Sequence, residues 1–73
     1  MRQFSVVKIK SLNKEFRHSE QSFGSRAPQV GDVGTIVDVY EGAFDIECSD
    51  VNGVTIWLEL FEPNDADLEL LYI

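Results

Sequence analysis

The chain has 73 residues, 44% of them hydrophobic and 26% charged, with a formal net charge of −7 and one cysteine. That length allows a single domain (1–73) with a small core, since a chain of this size buries roughly 60% of its unfolded surface, and the lone Cys48 excludes an internal disulfide framework. All six basic residues, Arg2, Lys8, Lys10, Lys14, Arg17 and Arg26, precede position 30, so the first 29 residues carry +4 and the remaining 44 carry −11. The apolar content lies above the disordered regime. The first residues hold no apolar stretch of signal-peptide or membrane-span length, and with the unpaired cysteine this leads us to expect a soluble, cytoplasmic protein. Small domains without crosslinks often gain stability by oligomerisation.

In chain order, Val6, Val7 and Ile9 alternate with Lys8 and Lys10 after Phe4 and predict a first strand with one wet face. From Ser11 to Gln29 the sequence turns polar and reads as a long loop with Leu12, Phe16 and Phe23 as anchors. Leu12 and Phe16 are four apart, which allows a short helix between Asn13 and Glu20. Gly31 and Gly34 bracket a tight turn that releases the chain into a β-branched strand ending at Tyr40, whose inward residue is either Ile36 or Val37. Glu41-Gly42 marks a turn, and Phe44, Ile46 and Cys48 alternate with Asp45 and Glu47 as in a half-buried strand. Asn52-Gly53 signals a type I′ hairpin leading into Val54 to Phe61. Pro63-Asn64-Asp65 stops that strand, and a last one runs from Leu68 to the C-terminus.

Five short strands, one long early loop and tight later turns predict an all-β fold, a small five-stranded SH3-like antiparallel barrel. The run from Val30 to Tyr40, followed by Phe44-Asp45-Ile46-Glu47 and the Asn52-Gly53 turn, resembles a family of short bacterial proteins filed as a domain of unknown function, number 4926 in that series. The resemblance extends from about Phe4 to Tyr72 and is most specific from Gly31 to Glu47. It implies an SH3-type barrel. The family has no agreed activity, so the resemblance implies no functional residues.

The chemistry-bearing residues are sparse. A Cys48–His18 nucleophile pair requires a core cysteine and a loop histidine to meet, and one Cys with one His falls short of a zinc site. The acidic run Asn64-Asp65-Ala66-Asp67-Leu68-Glu69 lacks the glycine and the closing glutamate of a calcium loop. Asp45 with Glu47 invites an acid/base pair, yet an outward charged face that blocks edge pairing explains them as well. We therefore expect no enzyme, no catalytic residues, no metal and no cofactor.

Partners are constrained by the charge split. Phosphate recognition needs cations, which only the first strand and its loop supply, with Phe16 and Phe23 for stacking, so nucleic acid is an unfavourable partner. No membrane or small-molecule substrate is indicated. An acidic face of Asp45, Glu47 and Glu59 would suit a basic protein surface. The strand from Val54 to Phe61 has large apolar groups at both phases, and the last strand has Leu70 to Ile73 in succession, the pattern of strands covered on both faces. Either the long loop or another subunit provides that cover. The expected reading is a protein-interaction module that forms a homo-oligomer through Trp57, Phe61, Leu71 and Ile73, with Tyr40 nearby. The alternative is a small acidic inhibitor or antitoxin-like protein that neutralises a basic enzyme such as a nuclease.

Overall fold

The computed structural model describes residues 2–73. Five strands follow one another: β1 (Val6–Leu12), β2 (Val33–Tyr40), β3 (Ala43–Ser49), β4 (Thr55–Phe61) and β5 (Ala66–Tyr72). They form one sheet in the order β4-β3-β2-β1-β5, and every pairing is antiparallel. The expected all-β class, the five strands and the long loop between the first two are all present. A closed ring of strand pairing is not found among the described residues, so β4 and β5 stand at the two ends of the sheet. The helix considered between Asn13 and Glu20 does not form. Phe16 turns instead toward the core and stacks on Phe61, with ring centroids 4.6 Å apart.

All five strands nevertheless share one core. Val7 and Ile9 from β1, Ile36 from β2, Ile46 and Cys48 from β3, Trp57 and Phe61 from β4 and Ala66 from β5 form a single buried cluster. The sheet must therefore coil until its two end strands face the same interior, as strand twist promotes. In β3 the alternation is as expected, with Ile46 and Cys48 buried and Asp45 and Glu47 outside. In β2 the inward residue is Ile36.

Register shifts let short strands bend this far. The pairings Ile36↔Ile46 and Asp38↔Asp45 leave Val37 as an extra residue in β2, and Cys48↔Trp57 with Ser49↔Thr55 leaves Ile56 extra in β4. Lys10 in β1 and Leu71 in β5 are extra in the same sense. Each bulge bends its strand and leaves a residue out of the ladder.

Two turns differ from their sequence signals. Gly53 has φ 80°, but Asn52 is not in the left-handed region, so the β3–β4 hairpin is not type I′. Gly53 N–H donates to Asp50 O (2.9 Å), and Asp50 Oδ1 accepts from Asn52 N (2.8 Å) and Val54 N (3.0 Å). This is a three-residue loop in which the aspartate, not the asparagine, organises the backbone. Gly31 does take a positive φ at a turn, whereas Gly34 does not. A Cβ on Gly34 would lie 2.6 Å from Ile46 Cγ2 and 2.9 Å from Glu47 O. Gly34 is required by the close approach of β2 to β3.

Candidate protein-interaction surface

Trp57 and Phe61, expected at the centre of an outward contact surface, are fully buried. Their strand register explains the correction. Trp57 lies opposite Cys48 and Phe61 opposite Phe44, so both share the inward face of β3, while Leu58 and Leu60 take the other side. The long loop supplies the cover the apolar strand needed. Phe16 lies over Phe61, Phe61 contacts Trp57 at 5.8 Å, and Gly24 bridges to Trp57 at the outer edge of β4.

The bulge at Ile56 receives this loop. Its carbonyl, freed from the ladder, accepts from Ser25 N (2.8 Å) and Arg26 N (3.4 Å). Gly24, at φ 82°, packs so closely that a Cβ there would overlap the Ile56 carbonyl. Only glycine meets both demands.

A second fastening holds the base of the loop. Asp32 accepts a bidentate pair of hydrogen bonds from Arg26, Nη1 to Oδ2 at 2.8 Å and Nη2 to Oδ1 at 2.9 Å. Its Oδ2 also accepts from Gln29 N (2.9 Å) and Trp57 Nε1 (2.8 Å). Burial alone would push the Asp32 carboxyl up, but the Arg26 guanidinium, the Gln29 amide and the Trp57 indole together hold it below its ordinary value. The sequence reading missed this carboxylate because nothing local ties it to an arginine six residues back and a tryptophan 25 ahead.

The acidic surface is also rearranged. Asp45 and Glu47 face outward, but Glu59 lies opposite Ile46 and so belongs to the other face, with Trp57 and Phe61. Asp38 takes its place, directly opposite Asp45. Tyr40 belongs to this group: its hydroxyl donates to Asp45 Oδ2 at 2.7 Å, with Asp38 Oδ2 3.4 Å away. The hydrogen bond to Asp45 is the main reason its pKa is pushed up to about 12, aided by the neighbouring carboxylate charges. Glu47 accepts from the Thr55 hydroxyl.

The cations are largely occupied at home. Arg26 pairs with Asp32, Lys14 lies 3.8 Å from Asp65 and over the Phe16 ring, and Arg17 pairs with Glu15 at 3.0 Å. The Arg17–Glu15 pair is exposed and worth about 0–1 kcal/mol, whereas Asp65 in the Lys14 pair is half-buried. Lys8 stands opposite Glu69 across β1 and β5. β1 carries two lysines and β5 two carboxylates, Asp67 and Glu69, so this half is neutral in sum, while β2, β3 and β4 carry Asp38, Asp45, Glu47 and Glu59 without a cation.

Leu71 and Ile73 remain exposed, as the sequence indicated, and they are not alone. Leu70, Leu71, Tyr72 and Ile73 are all open to solvent, because the bulge at Leu71 breaks the alternation that would have turned every second one inward. A shallow depression of about 370 Å³ is lined by Arg2, Ser5, Leu70 and Ile73, which places the N-terminal turn beside them. In that turn Ser5 N–H donates to Arg2 O (3.0 Å) and Arg2 N–H donates to Ser5 Oγ (3.1 Å). At its third position Phe4 has φ 70° with its side chain 66% exposed.

His18 is exposed in the loop with Nε2 3.4 Å from Gly24 O, and Cys48 is buried, its thiol pushed up first by desolvation. Among the described residues no three metal-ligating side chains come together, and no helix is long and apolar enough to cross a membrane. In comparisons with known proteins, the chain matches no family model, no curated protein and no solved structure.

Proposed function

We propose that this protein is a non-enzymatic, cytoplasmic interaction module that associates with copies of itself through Phe4, Leu70, Leu71, Tyr72 and Ile73. The resemblance over Gly31 to Glu47 enters this reading as a fold relationship only. The observation that carries it is Phe4. A bulky residue in the left-handed region costs on the order of 1–3 kcal/mol, and here it leaves an aromatic ring in water in a turn whose Arg2 and Ser5 border the exposed Leu70 and Ile73. Apolar groups gathered in this way mark association surfaces. The charge distribution supports the same place, since copies of a −7 protein meet with least repulsion at the neutral β1–β5 half. Sedimentation velocity at micromolar concentration is the test. The expected result is a dimer or larger species that Leu71→Glu with Ile73→Glu returns to monomer; a folded wild-type monomer at all accessible concentrations would overturn the proposal.

A second reading rests on the opposite half. Asp38, Asp45 and Glu47 with Tyr40 make an outward acidic face on strands that carry no cation of their own, and an inhibitor of a basic enzyme such as a nuclease would bind through it. Complementary charge predicts binding that weakens steeply with salt. Titration of the protein against a panel of basic nucleases, read as loss of cleavage that Asp38→Asn with Asp45→Asn restores, decides it.

A further inference from the structure

The two edges of the sheet are treated differently by the rest of the chain. At β4 the loop seats Gly24, Ser25 and Arg26 against Ile56, which guards that edge where its bulge exposes a carbonyl. At β5, among the described residues, no backbone hydrogen bond reaches Ala66–Tyr72 from any element except β1. An unguarded edge is a template for another strand, and folded proteins usually blunt it with charge, a bulge or a covering segment. The charges of β5 do not serve that purpose well, because Glu69 faces Lys8 and Asp67 accepts from the Ser11 hydroxyl at 2.6 Å, and the strand's own bulge residue, Leu71, lies at its C-terminal end and leaves Ala66–Leu70 regular.

From this we infer that self-association occurs by edge pairing: β5 of one copy adds antiparallel to β5 of a second, joining two five-stranded sheets into one across a twofold axis. The inference rests on the self-association proposed above and names its geometry. The register follows from charge. Pairing about Leu70 sets Leu70 opposite its own copy, Glu69 opposite Leu71 and Leu68 opposite Tyr72, so no carboxylate meets another. Pairing about Leu68 would set Asp67 opposite Glu69, and like charges directly opposed are destabilising. The isologous arrangement consumes the β5 edge of each copy, so pairing through β5 stops at two.

Two measurements test it together. In the first, Leu70→Cys and Leu60→Cys are oxidised with diamide, which takes up the two protons and two electrons as the disulfide forms. Both positions are comparably exposed, 42% and 48%, on opposite edge strands, and the native Cys48 is buried. A pair held at the twofold axis has an effective concentration far above that of the protein, so Leu70→Cys should crosslink at least about tenfold faster than Leu60→Cys. In the second, wild-type hydrogen exchange is followed against concentration. Every second amide of Asp67–Tyr72, those not bonded to β1, should gain protection over the range in which the dimer forms. A dimer without β5 protection, or one that protects β4, overturns edge pairing while leaving self-association intact; absence of any dimer overturns both.

Discussion

Asp32 concentrates more of the fold's polar chemistry than any other residue. One carboxylate satisfies an arginine, a backbone amide and an indole, and it does so at the junction of loop and strand. Replacing it with alanine strands those donors in a part-buried site, and we expect Asp32→Ala to lose roughly 3 kcal/mol in urea unfolding. The acid dependence follows from its depressed pKa. The stabilisation is complete above the unfolded value, near pH 4, and is lost as pH falls through the folded value. The stability of Asp32→Asn should accordingly vary less with pH below about 4 than that of the wild type. Tyr40 offers a spectroscopic check of the acidic face. In a Tyr72→Phe background it is the only tyrosine, and its ultraviolet titration should centre near 12. Asp45→Asn should move it back toward about 10; an unchanged midpoint would mean that the Tyr40–Asp45 hydrogen bond is not held in solution.

At the scale of elements, the loop between β1 and β2 behaves as a clasp, and its two fastenings can be opened separately. Gly24→Ala places a methyl group against the Ile56 carbonyl in a conformation that L-residues rarely adopt. It should free the tip of the loop while the Arg26–Asp32 pair still holds its base. Amide exchange of Phe23–Ser25 and Trp57 should accelerate with little change in β1 or β5. A uniform acceleration across the sheet would instead mean that clasp and sheet unfold as one unit. The strands and most turns were legible in the sequence, because alternation at Phe44 to Cys48 and the turn residues around Gly42 are local signals. The phase of β4 was not. Residues 54–61 are apolar at both phases, and the bulge at Ile56 that decides which set points inward leaves no mark in composition. The burial of Trp57 was hidden for the same reason, since it depends on a loop far earlier in the chain. Asp32, Gly24 and Phe4 matter through backbone geometry or distant partners, which spacing alone does not report.

For the whole molecule, the division of charge along the chain becomes a division of the surface. Lys8 and Lys14 lie beside Glu69 and Asp65 from the end of the chain, which leaves a neutral apolar side and an acidic side. In the proposed self-association Phe4 would link this arrangement to assembly, because its left-handed backbone lowers stability while its ring stands open to contact. Phe4→Gly removes the strain and the ring together. We expect the monomer to become more stable by about 1 kcal/mol and the dimer to become weaker, a pair of opposite changes read by chemical unfolding and by sedimentation on the same sample. If both quantities fell, Phe4 would be a packing residue of its own domain.

On the proposed edge pairing, the loop seated on β4 would also set the arithmetic of assembly. A molecule with one free edge can only pair, whereas a molecule with two can hand the sheet on to the next copy without end. On that proposed pairing, lifting the clasp, by acid at Asp32 or by a side chain at Gly24, would turn a unit that stops at two into a unit of a filament. The segment that hides a tryptophan from water is, in that sense, a chain terminator.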